Sequence, residues 1–160
     1  AAVRGVKVRI LIDKSKPIFV FDKYYAKAFS KYGIDVRYYN KAALIQISTV
    51  QFRNHRKLIS VDDTEAITGG RNIGDDYFDL SDKFNFNDTD IYVRGPIVKT
   101  IRESFDAFFE HKISERPKFP SDKNLKRVTE VEEFFKPSEA EEAVKAKIAT
   151  IGKSRLDAHK

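Results

Sequence analysis

The stretch that decides the fold reads HRKLISVD at residues 55–62 and, six residues later, GGRN at residues 69–72. The first segment predicts a β-strand, on which residues two apart share a face, so His55 and Lys57 are expected to point the same way. Histidine is a competent nucleophile toward phosphorus, and ammonium, amide and backbone N–H groups stabilise phosphate charge. The pattern therefore indicates a pocket suited to a phosphodiester.

A short acidic segment explains how the two halves of this stretch meet. Asp62-Asp63-Thr64 predicts a tight turn between strands at residues 53–61 and 65–69. The returning strand then brings Gly69-Gly70 and Asn72 to the same end of the sheet, where glycine lets an anion approach the backbone without a Cβ in the way. No carboxylate cluster nearby offers a divalent-metal cage, so we expect protein donors alone to meet the phosphate charge, with no metal or cofactor.

The amino-acid composition excludes some classes of protein but does not identify a binding partner. The 160 residues are 41% hydrophobic and 34% charged, as expected of a globular domain with a highly charged surface. Cysteine is absent, which excludes disulfides and thiolate metal sites, and no apolar run approaches the length of a bilayer span. The net charge of +6 is suited to binding nucleic acid, an acidic membrane surface or a phosphorylated substrate. It is equally consistent with a surface whose charge only maintains solubility.

The order of elements predicts an α/β fold, a mixed β-sheet flanked by helices. Residues 1–113 are expected to form the domain, and residues 114–160 a charged linker or peripheral helical tail. Residues 40–51 keep no clear period, and residues 73–88 read as a loop or short helix. Strands are predicted at residues 6–13, 34–39, 53–61, 65–69 and 89–94, with helices at residues 16–32, closed by Gly33, and from Gly95-Pro96 onward, with an apolar face of Ile97, Ile101, Phe105, Phe108 and Phe109.

The motif H-x-K-x4-D with a trailing G-G-x-N resembles the signature of the phospholipase D superfamily. Residues 3–13 resemble the helix-to-strand segment that precedes the motif there, and Asn87-Asp88-Thr89 resembles the segment that carries an acid for the histidine. Within the superfamily, GGRNIGDDYF at residues 69–78 is most similar to bacterial cardiolipin synthase-type phosphatidyltransferases. The resemblance covers residues 1 to about 112 and implies a phospholipase D-like half-domain.

The resemblance also implies roles for individual residues. His55 attacks the substrate phosphorus and forms a covalent phosphohistidine, while Lys57 and Asn72 hold the non-bridging oxygens. Asp88 accepts a hydrogen bond from the second ring nitrogen of His55 and so fixes its tautomer, with Asp90 as the competing candidate.

The remaining motif residues receive supporting roles. Gly69 and Gly70 are expected to line the substrate, and Asp62 is expected to be a structural support rather than a catalytic group. Arg71 could reach a lipid headgroup, but we favour a solvated surface arginine.

The chain carries one such motif, whereas the superfamily builds its site from two that face each other. The second histidine, which protonates the leaving alkoxide, must come from another copy in a homodimer or from a missing part of the same polypeptide. Because methionine is absent, Ala1 is expected to be an internal residue, and the chain a fragment truncated at both ends. We expect little or no turnover from this chain alone.

Three functions remain open on this basis. The leading hypothesis is a cardiolipin synthase-type phosphatidyltransferase that acts on an anionic phospholipid from peripheral contact with the bacterial inner membrane. The second is a metal-independent phosphodiesterase, either a nuclease binding nucleic acid or a hydrolytic phospholipase D. The third is a degenerate half-domain used for binding or assembly. The aromatic side chains of residues 77–86 are expected to pack inside the protein rather than insert into lipid.

Overall fold

The computed structural model describes residues 1–14, 23–40 and 53–118, together with Ala146. Within these residues the strands form two three-stranded sheets, and two α-helices flank them, which confirms the predicted α/β class. The elements are β1 (Arg9–Asp13), α1 (Lys23–Lys31), β2 (Asp35–Tyr39), β3 (Lys57–Val61), β4 (Glu65–Gly69), β5 (Asp90–Arg94), α2 (Ile97–Phe109) and β6 (Ser114–Glu115), with single 3-10 turns at Ala2–Arg4 and Asp75–Tyr77.

The first sheet is mixed and has its core on the α1 side. Strands β1 and β2 run parallel, and β6 pairs antiparallel with β2. A parallel pair needs a crossover connection, and α1 lies within it. The apolar cluster consists of Ala26, Val36 and Tyr38, all buried, with Ile10, Ile12, Phe29 and Ile34 packed against them.

Helix α1 ends in a Schellman motif. The Ile34 N–H donates to Phe29 O at 3.2 Å, and the Gly33 N–H donates to Ser30 O at 3.0 Å. Gly33 has φ +75°, a left-handed conformation that lacks steric cost when no Cβ is present. The predicted helix end at Gly33 is confirmed.

The second sheet is antiparallel throughout, in the order β3–β4–β5. Its first hairpin turns at Asp62 and Asp63, with φ +47° and +56°, a left-handed conformation that aspartate enters more readily than most residues. The Thr64 N–H closes the turn on Val61 O at 3.0 Å. The tight turn predicted at residues 62–64 is confirmed.

The two faces of the second sheet differ in exposure. One face packs against α2, and both Ala66 and Val98 are buried there. On the other face, the cross-strand row of Ile59, Ile67 and Tyr92 is 62%, 42% and 58% exposed. We call this second face the open face; its residues are Lys57, Ile59, Val61, Glu65, Ile67, Gly69, Asp90, Tyr92 and Arg94.

Helix α2 joins the two sheets through charged side chains. Arg102 binds Asp63 at the hairpin turn and Asp106 on its own helix, and the hydrogen bond from its guanidinium to Asp63 raises the pKa of Arg102. Asp106 also forms an ion pair with Arg9 of β1, at 2.7 Å between Oδ1 and Nη2. One helix therefore contacts both sheets through ion pairs.

Some predicted boundaries need correction. Strand β1 begins at Arg9, because its pairing with β2 begins where Arg9 meets Asp35. Pro96 caps α2 rather than occupying its first position. The assignment of Ile97 to the apolar face is wrong: its side chain is 55% exposed, and Val98 is the buried residue of that turn.

Some predictions concern residues that the structure does not describe, or a boundary that it does not test. Residues 16–22 of the predicted helix, and residues 41–51 of the segment without a clear period, lie outside the described residues. The predicted division between residues 1–113 and 114–160 stays a prediction. Contacts of the first sheet continue past it, because Ser114–Glu115 forms β6 and Arg116 binds Asp35 with Nη2 and Oδ2 3.0 Å apart.

Candidate active site

One cross-strand row anchors the site end of the second sheet. Lys57 pairs with Gly69, and Gly69 pairs with Asp90, so these three residues share the open face. His55 lies two residues before Lys57, just outside β3, and is exposed. The hairpin thus places the histidine, the lysine and the double glycine together, as the sequence predicted.

His55 and Lys57 contact each other directly. Lys57 Nζ lies 3.0 Å from His55 Nδ1 and also donates to the His55 carbonyl at 2.8 Å. An ammonium can only donate, so Nδ1 accepts in this arrangement, and the proton of a neutral ring lies on Nε2. Attack through Nε2 therefore requires that Lys57 first leave Nδ1.

The backbone before His55 is fixed by the carboxyl end of β1. Asp13 accepts the Asn54 N–H at Oδ2 (2.5 Å) and the Arg53 guanidinium at Oδ1 (3.0 Å). Arg53 donates in addition to the Asn40 carbonyl at 3.1 Å. The first sheet therefore holds the histidine-bearing segment, a contact that the sequence reasoning missed, although an aspartate at a strand's carboxyl end was visible.

Arg56 points away from the site, the direction that the predicted alternation gives it, although β3 begins at Lys57 and not at residue 53 as predicted. Its guanidinium donates to Ser104 Oγ at 2.9 Å and lies over the Phe108 ring, 4.5 Å from the centroid. Both partners belong to α2. The alternation between His55, Arg56 and Lys57 thus sends one side chain to the helix and two to the site.

Asn72 is held by a residue that the sequence reasoning did not single out. Its Nδ2 donates to the Tyr77 hydroxyl at 2.8 Å, while the Asn72 side chain stays exposed. This bond fixes the plane of the amide. The signal available in sequence was only the aromatic in DDYF, five residues after the asparagine, with nothing to assign it a partner.

Asp88 lies beside the double glycine. A Cβ added to Gly70 would come within 2.9 Å of Asp88 Oδ2 and closer still to Oδ1, so the carboxylate occupies the space a side chain would need. Among the described residues, the hydrogen bond to this carboxylate comes from the Thr89 N–H at 2.8 Å. The structure does not bring Asp88 within hydrogen-bond distance of His55, and their pairing stays a prediction.

Asp90, the competing candidate, has a different partner. Its Oδ2 accepts from Arg71 Nε at 2.6 Å. Its Oδ1 fills the space above Gly69, where a Cβ would come 2.8 Å from the Asp90 Cα. The glycines thus make room for two carboxylates, and Gly70 N–H already donates to Thr89 O at 3.4 Å, so their predicted role toward substrate stays a prediction.

Two sequence interpretations in this region are wrong. Arg71 is not a solvated surface residue: its side chain is 23% exposed and bonded to three other residues. Three of the four aromatic residues of the adjacent loop are not packed inside, since Phe78, Phe84 and Phe86 are each about half exposed, whereas Tyr77 is partly buried. Local sequence could not reveal either, because both depend on how residues 71–90 fold back on themselves.

Asp62 lies at the opposite end of the hairpin from His55, exposed in the turn.

Within the described part of the chain, no group of three or more metal-binding side chains is close enough to hold an ion. Among the same residues, no helix has the length and apolarity needed to cross a membrane.

A known protein family matches most of this chain. A family described as "Cardiolipin synthase, PLD-like domain" matches residues 1–109. The chain belongs to this family. The resemblance to the phospholipase D superfamily, and within it to cardiolipin synthases, is confirmed.

Individual relatives agree with the family assignment. The cardiolipin synthase of Halalkalibacterium halodurans is 34% identical over 122 residues, which cover 75% of this chain and 24% of that protein. Cardiolipin synthase of Geobacillus sp. (strain WCH70) is 36% identical over 106 residues, 65% of this chain and 21% of the relative. Cardiolipin synthase C of Escherichia coli K12 is 31% identical over 118 residues, which cover 68% of this chain and 25% of that protein.

The chain spans about a quarter of the length of these curated relatives. No solved structure matches the chain significantly.

Proposed function

We propose that this chain supplies one half of the site of a cardiolipin synthase-type phosphatidyltransferase, with His55 as the nucleophile. The observation that carries the proposal is the contact of His55 Nδ1 with Lys57 Nζ at 3.0 Å, at an exposed end of the second sheet. A nucleophile and a phosphate-binding cation in contact are the minimum for attack on a phosphodiester. Membership of the cardiolipin synthase family supports a lipid as the substrate.

The proposed reaction has two displacements at phosphorus. In the first, His55 Nε2 forms a bond to the phosphorus of an anionic phospholipid, and the bond from phosphorus to the departing glycerol oxygen breaks. The departing oxygen takes a proton from a histidine of the second half. In the second, a hydroxyl of another lipid attacks the phosphohistidine after losing its proton to that same group, the P–N bond breaks, and His55 is regenerated.

Lys57 and Asn72 would share the charge of the phosphoryl oxygens during both steps. Substrate binding would draw Lys57 Nζ from His55 Nδ1 to a non-bridging oxygen, which leaves Nδ1 free to carry the ring proton. Asp88, already beside Gly70, would then accept that proton's hydrogen bond and leave Nε2 unprotonated for attack. Asp90 is the weaker candidate for this role, because Arg71 occupies one of its oxygens.

The second half is proposed to cover the open face. Lys57 belongs to this face, and a partner that contributes a histidine near His55 must lie against it. The adjoining row of Ile59, Ile67 and Tyr92 is apolar and exposed, as expected of a surface that another protein layer covers. The second half could be another copy of this chain or another part of one polypeptide.

Peripheral contact with the bacterial inner membrane is part of the same proposal. Phe78, Phe84 and Phe86 expose about half of their surface in the loop that follows Asn72. Exposed aromatic rings favour the interface between headgroups and acyl chains. A substrate that resides in the membrane would reach the site from this side.

The test is a lipid mass-spectrometry profile of cells that express the full-length protein containing this chain, wild type beside His55→Ala. We expect a His55-dependent rise in cardiolipin with loss of phosphatidylglycerol. His111→Ala is the matched control, since His111 is exposed beyond α2 and contacts none of the site residues. A rise in phosphatidic acid would make water the acceptor. An identical lipid profile for wild type and His55→Ala would contradict the lipid function, and cleavage of oligonucleotides in EDTA would then indicate a nuclease.

A further inference from the structure

Arg71 bonds to three separate segments around the site. Its Nε donates to Asp90 Oδ2 at 2.6 Å, its Nη2 to the Asp88 carbonyl at 2.9 Å, and its Nη1 to the Tyr77 carbonyl. Its guanidinium carbon also lies 5.6 Å from the centre of the Phe78 ring. One planar side chain thus connects β5, the residues before it and the 3-10 turn.

These three segments carry the candidates that surround the phosphate. One of the bonded carbonyls belongs to Asp88 itself, and Asn72 is the next residue after Arg71. Tyr77 closes a ring of contacts, because its carbonyl accepts from Arg71 and its hydroxyl accepts from Asn72 at 2.8 Å. The amide of Asn72 and the backbone of Asp88 are therefore held relative to one another through the same guanidinium.

Only arginine can make this set of bonds. The guanidinium presents five donors in a fixed plane, whereas a lysine ammonium is a compact charge on a flexible stem and cannot reach three acceptors in different directions. Arg71 and Asp90 are each 23% exposed, so solvent screens their ion pair less than it would screen a surface pair.

We propose that Arg71 is a positioning residue that sets the separation between the Asn72 amide and Asp88 for phosphoryl transfer. The inference deepens the proposed function and rests on it. Arg71 acts through Tyr77, Asp88 and Asp90 and does not touch the substrate. A displacement of donors by about 1 Å costs roughly 100-fold in rate. Loss of the Arg71 hydrogen bonds therefore lowers kcat much more than it changes KM.

The kinetic test compares Arg71→Lys with Arg102→Lys in the full-length protein. Arg102 is a matched control, because it also bridges two carboxylates, Asp63 and Asp106, but at the far end of the hairpin. We expect Arg71→Lys to lower kcat for lipid transfer by 10- to 100-fold with KM changed less than threefold. Arg102→Lys lowers the melting temperature comparably and leaves kcat within twofold of wild type.

A second measurement does not depend on turnover. Amide hydrogen exchange on the same proteins should quicken at residues 71–78 and 88–90 in Arg71→Lys and stay unchanged there in Arg102→Lys. Unchanged exchange in Arg71→Lys overturns the inference, as does an equal loss of kcat in both variants. If wild type gives no His55-dependent lipid product, the proposed function fails. Quicker exchange in Arg71→Lys would then still show that Arg71 orders these segments, but not that it positions groups for phosphoryl transfer.

Discussion

The two sheets of this molecule use their apolar residues in opposite ways. In the first sheet, Val36 and Tyr38 are almost fully buried against α1. In the second sheet, Ile59 and Tyr92 are more than half exposed on the open face, although the strands are equally apolar in sequence. Most of the buried residues of the first sheet and α1 thus lie away from the candidate site, whereas the candidate site adjoins a largely exposed face.

The residues that hold the fold and the candidate site residues lie mostly in different sheets. Asp13, at the end of β1, binds the backbone of Asn54, so the stable sheet fixes the entry to the histidine segment. The second sheet then adds Lys57, Gly69 and Asp90 in one cross-strand row. Changes to the first sheet should therefore alter stability, and changes to the second should alter activity or association.

The strongest expected effect is on stability, from Phe109→Ala. Phe109 is fully buried at the end of α2, and the Arg37 guanidinium lies over its ring, 4.2 Å from the centroid. Removal of a buried phenylalanine ring costs about 3–5 kcal/mol. Urea unfolding measures the loss, and activity per folded molecule should stay near wild type. A loss below about 1 kcal/mol would show that the core does not depend on this contact.

Gly70→Ala should mainly affect the site. The added methyl meets the Asp88 carboxylate, which must shift, and we expect kcat to fall by about 100-fold because a displaced group is costly to the reaction. The measurement is steady-state lipid transfer by the full-length protein.

Gly33→Ala is the control for the loss of a glycine. Gly33 has φ +75° with open space around its Cα, so an added Cβ costs about 1–2 kcal/mol of stability through strain alone. Its kcat should be unchanged. Equal kcat for Gly70→Ala and wild type would mean that Asp88 moves without consequence.

Ile59→Arg tests whether the open face is covered. The Ile59 side chain is 62% exposed in this chain, so the substitution should scarcely change stability if the face stays in water. If the second half packs there, we expect the full-length protein to lose about 1–3 kcal/mol of stability, with a matching loss of activity. The measurement is thermal unfolding, with Val3→Arg as the control, since Val3 is 81% exposed and lies outside this face. Identical effects of both substitutions would contradict a covered open face.

The smallest expected effect concerns pH. The side-chain hydrogen bond with Glu65 raises the pKa of Tyr92 above its usual value near 10. The folded state then holds this proton more tightly than the unfolded chain, so the stabilisation is full below pH 10 and is lost as pH rises through the raised pKa. Urea unfolding of wild type and Tyr92→Phe should give stability differences that shrink above pH 10. A constant difference across that range would show that the bond to Glu65 is not formed.

The sequence predicts the hairpin, the end of α1 and the shared side of His55 and Lys57, because each depends on residues close together in the chain. The alternation of His55, Arg56 and Lys57 predicted which side chains share a face, and the acidic turn at residues 62–64 predicted the hairpin. Gly33 predicted a helix end, since few other residues adopt its backbone conformation without strain.

The contacts that the sequence did not reveal depend on how the chain folds back on itself, from Asn72 with Tyr77, five positions apart, to Asp13 with Asn54, 41 positions apart. The sequence pattern of Arg71 predicts a surface residue, because its acceptors lie up to 19 positions away and two of them are backbone carbonyls, which a motif does not show. The glycines were explained by an approaching anion, whereas the structure places Asp88 and Asp90 against them.

The sequence by itself determined the family, the hairpin and the identity of the histidine–lysine pair, because each depends on residue type and short-range alternation. Only the tertiary structure decided that the strands divide into two sheets, that Arg71 joins three segments, and that the apolar row of the open face is exposed among the described residues. The physical reason is that burial and hydrogen bonding between distant segments depend on how they pack in space, and neighbouring residues do not encode that packing.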